Sequence, residues 1–334
     1  MSRDTIPFMR PRFQWNIGRR SLALGERTLI MGVLNVTPDS FSDGGRFLSP
    51  QAAIAHGLTL LDEGADILDI GGESTRPGVS TASSDAPSLA GAVSAQEEID
   101  RVLPILQAIR QQRPQAVVSI DTYKSAVARC ALGAGAEIVN DVSGFTWDSA
   151  MAATIAAHPC GSILMHVRGL PHQWRTLSPA PDIVSLVRQE LCDRVSAALD
   201  AGITRSSIVL DPGFGFGKNF DENYPLLARF TELHSLGFPL LAAVSRKSFL
   251  GRTVAARLSE LAGDPPLPQS ANVELPSDPP KSTPIPPTAR DIATLAATVA
   301  ATLAGAHIVR VHAVRPAVEA LAVADAILRA ETPS

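Results

Sequence analysis

The chain has 334 residues, of which 45% are hydrophobic and 19% are charged, and its formal net charge is −4. This composition excludes a mainly disordered chain, because enough apolar surface is available to form a large buried core. The negative net charge gives no global basis for binding nucleic acid or anionic membranes, so we expect neither as a partner. A local basic site for a phosphate-bearing small molecule is compatible with it.

The cysteine content and the N-terminus indicate a cytoplasmic protein. The cysteines, Cys130, Cys160 and Cys192, are widely spaced and form no CxxC motif, which argues against a disulfide framework or a structural zinc site. The N-terminal segment has no apolar leader, so we expect no secretory signal. The uncharged stretch Ile292–Val309 is mostly Ala and Thr, and it predicts a buried helix followed by a strand rather than a membrane span.

Short β-branched runs alternate along the chain with longer amphipathic stretches. The short runs are Thr28–Asn35, Ile67–Ile70, Ala116–Ile120, Ile138–Asn140, Ser162–Met165, Ser207–Leu210, Leu240–Val244 and His307–Val311. Each is apolar, as is typical of strands that are covered on both faces. Helix starts lie between them: Ser49-Pro50 opens one helix, and Ser94 with Glu97 forms a capping box before another. Eight strand–helix units predict one (β/α)₈ barrel, the TIM barrel of the α/β class.

An open, doubly wound sheet with an extra domain is the alternative architecture. We favour the barrel because the eight repeats have similar lengths and no Gly-x-Gly-x-x-Gly follows the first strand. We expect an N-terminal extension over residues 1–27 and the barrel over residues 28–330. Two segments do not fit the repeat. Ser80–Val93 lengthens the second loop, and the proline-rich insertion Gly263–Thr288 interrupts the seventh unit as extended or disordered chain.

Polar side chains follow the predicted strands at their C-terminal ends, where barrel enzymes carry their active sites. In chain order they are Asn35, Asp69, Glu73, Asp121, Asn140, Asp141, His166, Arg168, Asp211, Lys218, Lys247, Arg310 and His312. A random distribution of charge would not collect at one end of every unit. This clustering is the strongest functional signal that the residues themselves carry.

The last predicted strand carries a candidate anion site. Arg310 and His312 are two residues apart, so their side chains leave the same face of the strand and Val311 points to the other face. An Arg fork beside a histidine suits a phosphate group. The alternative is that Arg310 pairs with a neighbouring carboxylate and that His312 is an ordinary hydrogen-bonded residue. Lys247 at the same rim favours the phosphate interpretation.

Asp121, Asn140, Asp211 and Lys247 come from four different strands, and we expect them to converge on the mouth of the barrel. Carboxylate and amide acceptors beside a lysine donor match a flat, donor-rich heterocycle. Each residue alone has a simpler interpretation, because Asp121 can cap a helix and Asp211, before Pro212, can shape a turn. Their convergence favours the ligand site.

No cluster of His, Cys or Glu has the spacing of metal ligands, so tightly bound zinc is not expected. A diphosphate-bearing substrate would bring Mg²⁺ with it, and this ion needs only one or two protein oxygens. The oxygens available near the first strand are those of Asn35 with Asp39 or Asp43.

Seven motifs occur in order between about Thr28 and Leu328. They are Asn35–Gly45 (NVTPDSFSDGG), Asp69–Gly78 (DIGGESTRPG), Ser119–Thr122 (SIDT), Asn140–Gly144 (NDVSG), Asp211–Lys218 (DPGFGFGK), Ser245–Gly251 (SRKSFLG) and Arg310–His312 (RVH). Together they resemble the motifs of the dihydropteroate synthase family. The resemblance implies a (β/α)₈ fold, which agrees with the eight predicted units.

The resemblance also implies a reaction, in which 6-hydroxymethyl-7,8-dihydropterin diphosphate and 4-aminobenzoate give 7,8-dihydropteroate and pyrophosphate in folate synthesis. By family analogy, the pterin is held by Asp121, Asn140, Asp211 and Lys247. The diphosphate is held by Thr75 and the segment Arg310, Val311 and His312, and Mg²⁺ by Asn35. The aminobenzoate pocket is framed by Phe41, Arg76, Pro77, Phe216 and Ser248. The expected catalytic residues are Asp121, Lys247, Arg310 and His312, and the family also implies a homodimer.

This chain departs from the family pattern at three places. Ala313 follows His312 where many members have Asp, the second loop is lengthened by Ser80–Val93, and the Gly263–Thr288 insertion is unusual. None of these touches an expected substrate-holding position. Two other functions stay open: a methyltransferase that passes a methyl group from a reduced folate to a corrinoid, and a non-catalytic paralogue that binds pterin without turnover. The Arg310–His312 pair favours the synthase, because a methyltransferase has little use for a diphosphate clamp.

Overall fold

The computed structural model describes residues 10–37, 50–73, 93–174, 176–262 and 285–330. The strands in this part of the chain are β1 (Phe13–Asn16), β2 (Ser21–Leu24), β3 (Leu29–Asn35), β4 (Ile67–Gly71), β5 (Val117–Asp121), β6 (Ile138–Asp141), β7 (Gly161–Met165), β8 (Ile208–Asp211), β9 (Leu241–Ala242) and β10 (Ile308–Val311). The eight predicted strands are confirmed as β3 to β10. The seventh is clearly shorter than expected, because β9 spans only Leu241–Ala242 of the predicted Leu240–Val244. Leu240 itself pairs with Leu210 through a single bridge.

Strands β3 to β10 form one parallel sheet in the order β8-β7-β6-β5-β4-β3-β10-β9. A parallel bridge between Leu210 of β8 and Leu240, just before β9, brings the two edges of the sheet together. Sequence neighbours are therefore sheet neighbours all the way around, as in a (β/α)₈ barrel. The open doubly wound alternative is excluded, because its strand order reverses at a switch point.

Helices cover the outside of the sheet. They are α1 (Pro50–Asp62), α2 (Ala95–Gln112), α3 (Ser125–Gly133), α4 (Met151–Ala156), α5 (Ile183–Asp200), α6 (Asn223–Ala228), α7 (Ser248–Ala262), α8 (Asp291–Leu303) and α9 (Val314–Ala330). The predicted helix start at Ser94 is confirmed, because its hydroxyl accepts a hydrogen bond from the Glu97 backbone N–H at 3.2 Å. Such a cap satisfies one of the free N–H groups in the first turn.

Side chains alternate between the two faces of each strand, as the pleat requires. Outward-facing residues such as Leu68, Val118 and Leu164 pack with the helices in the larger core. Inward-facing residues such as Met31 and Ile163 fill the lower part of the barrel. The interior is therefore packed with apolar side chains at the N-terminal end of the strands, and its polar residues lie at the C-terminal end.

The N-terminal segment contains a β-hairpin that the sequence did not reveal. Strands β1 and β2 pair antiparallel, and Trp15, Ile17 and Leu24 pack against the apolar residues at the bottom of the barrel. The indole N–H of Trp15 donates to the backbone oxygen of Ser207 at 2.8 Å. The hairpin thus closes the end of the barrel opposite the predicted site.

Several expectations fall on parts of the chain outside the described residues. These are the first loop from position 38 to 49, most of the Ser80–Val93 extension, and positions 263–284 of the proline-rich insertion. The insertion lies between α7 and α8, within the seventh unit of the barrel. Across the described ranges, none of the helices combines the length and the apolar character that crossing a membrane requires.

Candidate active site

The mouth of the barrel is built from inward-facing positions near the C-terminal ends of the strands. The register pairs Asn35 with Gly71, Gly71 with Asp121, and Asp121 with Asn140. Paired residues of neighbouring parallel strands point to the same face of the sheet, so these side chains all face the interior near the C-terminal ends of their strands. Gly71 leaves open the space between its neighbours. A Cβ atom there would lie 3.6 Å from Asp121 Oδ2 and 3.8 Å from Asn35 Oδ1.

Arg310 is the central cation of the mouth. Its Nε donates to Asp69 Oδ2 at 2.6 Å, and its Nη2 donates to Asp121 Oδ2 at 2.6 Å. These charge-assisted bonds are short, as is typical of guanidinium–carboxylate pairs. The carboxylate-pairing alternative for Arg310 is therefore what this structure shows. Any anionic ligand would have to share the guanidinium with these two acids.

Asp69 joins a second side chain to this arrangement. The same Oδ2 atom accepts a hydrogen bond from Asn140 Nδ2 at 3.0 Å. Asp69 is fully buried, and its other oxygen, Oδ1, has no hydrogen-bond partner among the described residues. Asp69 thus connects β4 with β6 and β10 through a single carboxylate oxygen.

His312 lies one inward position beyond Arg310 on the last strand. Its Nδ1 atom is 2.9 Å from the hydroxyl of Ser245, and that hydroxyl also accepts from the His312 backbone N–H at 3.3 Å. The ring is therefore oriented by a neighbouring segment of the barrel. The intervening Val311 is buried in the outer core between the sheet and the helices. Its side chain does not face the mouth, because successive residues of a strand point to opposite faces.

Lys247 lies on the loop after β9, near Asp211. Its ammonium nitrogen is 3.9 Å from the centre of the Phe216 ring, which in turn makes an edge contact with Trp174. A cation over an aromatic face gains roughly 0.5–2 kcal/mol, depending on its hydration. Phe216 and Lys247 together form a mixed aromatic and cationic wall.

The buried setting changes the proton affinities of the charged groups. Burial raises the pKa of Asp121 to about 7, although Arg310 acts to lower it. Burial also raises the pKa of Asp211 to about 6, although the neighbouring Gly213 N–H and Lys247 oppose this. Burial lowers the pKa of Lys247 to about 7 despite the nearby Asp211. Asp69 and Asp121 hold the pKa of Arg310 above its ordinary value against desolvation. Such perturbed groups cluster at functional sites.

The loop after β8 is shaped by close backbone contacts. Asp211 Oδ1 accepts from the Gly213 N–H at 2.7 Å, so the turn interpretation of Asp211 is also right. Gly213 has a φ of +68°, and a Cβ there would lie only 1.9 Å from the His166 backbone oxygen. The buried Lys218 ammonium donates to the Gly213 carbonyl at 2.7 Å and lies 2.9 Å from His166 Nδ1. This network supports the loop that carries Phe216.

His166 and Arg168 therefore serve a different purpose from the one their sequence position indicated. Both follow β7, but His166 is buried beside Lys218 and Glu190, and Arg168 pairs with Glu222 at 3.2 Å. Asp141 likewise accepts from the backbone N–H groups of Ser143 and Phe145. These three residues stabilise loops and do not line the mouth.

The second loop begins at a buried charge cluster. Lys124 donates to Glu73 Oε2 and to Glu98 Oε2, each at 2.5 Å. Glu73 is the last described residue before the segment that carries Thr75, because positions 74–92 lie outside the described part. A buried cation held between two carboxylates fixes the start of this loop, since breaking such a pair leaves an uncompensated charge.

The structure brings most of the predicted site residues together. Those found at the mouth or on its rim are Asn35, Asp121, Asn140, Asp211, Phe216, Lys247, Arg310 and His312. Ser248 is exposed at the start of α7, directly after Lys247. Phe41, Thr75, Arg76 and Pro77 lie outside the described residues. Asp121 does not cap α3, because that helix begins at Ser125 and Asp121 pairs with Arg310.

Asp69 was expected among the polar residues at the strand ends, but sequence reasoning gave it no role in the site. It stands in the DIGGESTRPG motif, yet nothing in the motif assigns it a role. The available signal was the alternation of side chains along a strand. Asp69 lies two residues before Gly71, so both face the interior of the barrel. Only the folded chain shows that Arg310 and Asn140 both reach it.

The fold and the site define a (β/α)₈ barrel enzyme whose polar mouth carries groups suited to a small, charged ligand. The family model described as "Pterin binding enzyme" matches residues 31–312 of the chain. The chain is 40% identical to a dihydropteroate synthase of Synechocystis over 313 residues, covering 94% of each protein.

Solved structures agree with this relationship. A Xanthomonas albilineans dihydropteroate synthase with 4-aminobenzoic acid has a TM-score of 0.74 and 37% identity, covering 95% of this chain and 98% of that one. A structure from the same organism in complex with 7,8-dihydropteroate has a TM-score of 0.67 and 32% identity, covering 91% and 95%. The chain belongs to the dihydropteroate synthase family of pterin-binding enzymes. Its activity is the transferase reaction of folate synthesis that the motifs implied.

The raised pKa of Asp211 predicts a specific pH dependence of stability. Titration of Asp211 should make the free energy of unfolding fall as the pH rises from about 4 to about 6. Asp211→Asn is expected to remove this contribution. In this range the folded chain retains a proton that the unfolded chain has released, so stability falls as the pH rises. Urea denaturation at half-unit pH steps measures this slope. Asp193→Asn, an exposed substitution on α5, serves as the control and should keep the wild-type slope. A slope that is also unchanged in Asp211→Asn contradicts the prediction.

Proposed function

We propose that Asp121, Asn140, Asp211 and Lys247 bind the dihydropterin ring in the mouth of the barrel. The observation that carries this proposal is that three acceptor side chains and one ammonium group lie together at the C-terminal end of a closed sheet. A pterin offers a flat edge with several N–H donors and a carbonyl acceptor, which matches this set of groups. Burial of the acids favours a ligand that replaces the hydrogen bonds lost from water.

The diphosphate is proposed to bind at Arg310 and His312, with Thr75 of the second loop. Arg310 already stands between two carboxylates, so the diphosphate would have to displace Asp121 from the Nη2 donor of Arg310. Release of Asp121 from Arg310 would free that carboxylate for the pterin. The aminobenzoate is proposed to be framed by Phe216, Ser248 and the loop residues Phe41, Arg76 and Pro77.

The mechanism is a displacement at the methylene carbon that links the pterin to the diphosphate. The carbon–oxygen bond breaks, and its electron pair leaves with the diphosphate, whose charge Arg310 and His312 stabilise. The electron-rich dihydropterin ring spreads the positive charge of the methylene carbon, and Asp121 stabilises that charge. The amine lone pair of 4-aminobenzoate forms the new carbon–nitrogen bond, and one amine proton is released. No covalent enzyme intermediate is needed, because the leaving group departs by itself.

Mg²⁺ is proposed to be held by Asn35. In the described ranges no group of three or more His, Cys, Asp or Glu side chains is placed to bind a metal. Asn35 Oδ1 and Asp121 Oδ2 border the open space at Gly71, and an oxygen donor of this kind fits an ion that takes most of its ligands from phosphate and water. When bound with the diphosphate, Mg²⁺ neutralises charge on the leaving group.

Purified chain given the dihydropterin diphosphate, 4-aminobenzoate and Mg²⁺ is expected to release one pyrophosphate for each dihydropteroate formed. A coupled pyrophosphate assay and chromatography of the product measure the two yields. Omission of 4-aminobenzoate should abolish product, and sulfonamides should compete with it because they share its shape. Asn35→Ala should raise the Mg²⁺ concentration needed for half-maximal rate. Absence of turnover would identify a non-catalytic paralogue and contradict the proposed function.

Arg310→Ala is expected to weaken binding of inorganic pyrophosphate by about 2–5 kcal/mol, because it removes the charged partner of the anion. Binding of free 6-hydroxymethylpterin should change much less. Titration calorimetry with each ligand measures both effects. Arg315→Ala, an exposed arginine paired with Glu319 on α9, is the matched control and should leave both affinities at the wild-type level. Equal losses for pyrophosphate and pterin in Arg310→Ala would show that the clamp lies elsewhere.

We further propose that the chain is a cytoplasmic homodimer. Its three cysteines are free thiols, which supports a reducing compartment. Leu258 and Leu261 of α7 and Ile292 of α8 are 56%, 68% and 85% exposed, and the two helices pack against each other. An exposed apolar face of this kind is typical of a surface that a second copy covers.

Leu261→Glu is therefore expected to shift the chain from dimer to monomer, because it places a charge in the apolar contact. Size-exclusion chromatography with light scattering measures the mass. Val323→Glu on α9, at a residue of similar exposure, is the control and should remain dimeric. A wild-type chain that is monomeric at micromolar concentration would refute the proposal.

A further inference from the structure

Among the described acids of the mouth, Asp69 is the one that the proposed ligand contacts do not use. It is completely buried on β4, two residues before Gly71. Its Oδ2 atom accepts from Arg310 Nε at 2.6 Å and from Asn140 Nδ2 at 3.0 Å. Its Oδ1 atom is buried with no hydrogen-bond partner in the described part of the chain. A buried, half-satisfied carboxylate costs stability, so its presence at this junction needs an explanation.

We propose that Asp69 is a positioning residue that orients both Arg310 and Asn140 for the reaction. The inference rests on the proposed function, because it assigns Arg310 to the diphosphate and Asn140 to the pterin. One carboxylate oxygen then orients a side chain in each part of the substrate site. Its hydrogen bond to Arg310 acts in the diphosphate part, and its hydrogen bond to Asn140 acts in the pterin part.

The arginine is held at a single edge. Arg310 has a long, flexible side chain, and Asp69 binds its Nε, the nitrogen nearest to the backbone. The contact with Asp121 uses Nη2 instead. If a diphosphate displaces Asp121, the bond to Asp69 remains and the guanidinium plane keeps its direction. A pre-oriented guanidinium loses less conformational entropy when the anion binds.

The asparagine is held in one of its two amide orientations. An ionised carboxylate only accepts hydrogen bonds, so Asp69 requires the Nδ2 end of Asn140. The Oδ1 end of the amide is then the acceptor that remains for a ligand. In this way Asp69 determines that Asn140 presents an oxygen to the N–H donors of a pterin edge. Without Asp69 the amide of Asn140 can turn over, and its Nδ2 donor would then face the N–H donors of the pterin.

The proposal is tested by removing Asp69 alone and together with each of the two residues that it orients. Asp69→Ala is expected to lower kcat about 10- to 100-fold, as is typical when an orienting partner is removed. It should weaken the binding of free 6-hydroxymethylpterin about tenfold and leave the KM for 4-aminobenzoate within about twofold. Asp69→Asn should recover most of both losses, because its amide oxygen can still accept from Arg310 and Asn140.

Double-mutant cycles separate positioning from a merely structural role. If Asp69 acts through Asn140, Asp69→Ala should have no further effect on pterin affinity when Asn140→Ala is already present. If it acts through Arg310, it should have no further effect on kcat in the Arg310→Ala background. Fully additive losses in both cycles, or an unchanged kcat in Asp69→Ala, would overturn the proposal.

Asp141→Ala is the matched control, because Asp141 is also a buried acid but bonds loop N–H groups outside the mouth. It should lower the melting temperature without the coupling to Asn140 or Arg310. If Asp69→Ala does not fold, Asp69→Ser is used instead, since its hydroxyl is too short to reach both donors. Wild-type chain without turnover, or Arg310→Ala with normal pyrophosphate affinity, would contradict the proposed function. Active wild-type chain with additive cycles would contradict this inference alone.

Discussion

The ion pairs of Arg310 with Asp69 and Asp121 are the interaction on which the site depends. In the sheet, β10 is separated from β4 by β3, and β5 lies one strand further. Arg310 therefore reaches across the interior of the barrel rather than to an adjacent strand. This reach is possible because the sheet curves into a closed ring, which turns the inward side chains of distant strands toward one another. Through this contact the positive charge of Arg310 compensates the negative charges of Asp69 and Asp121.

The mouth collects more acid than base among its described residues. Asp69, Asp121 and Asp211 face Arg310 and Lys247, and burial raises the pKa of Asp121 and Asp211 while it lowers that of Lys247. The protein would be more stable with a less charged interior at this end. The arrangement is explained by its use, because groups that are already oriented and poorly hydrated need little reorganisation when a complementary ligand binds. The apolar lower barrel and the Trp15 hairpin provide the stable base for it.

Much of the fold could be predicted because it rests on local patterns. The eight apolar runs all became strands, and the cap at Ser94 formed as expected. The N-terminal hairpin could not be predicted in the same way. Its strands are only four residues each, and Trp15 is buried by the floor of the barrel rather than by anything nearby in sequence. A residue that is buried by a distant part of the chain cannot be recognised from the pattern of its sequence neighbours.

By itself, the sequence determined which residues stand at the ends of the strands and which of them share a face. Strand alternation is a local property of the backbone, so Arg310 and His312 could be assigned to one side and Val311 to the other. Only the tertiary structure decided which charges meet. It separated His166, Arg168 and Asp141 from the mouth and placed Asp69 at its centre. The reason is that contacts across a barrel depend on strand order, register and closure, and none of these is a property of a single strand.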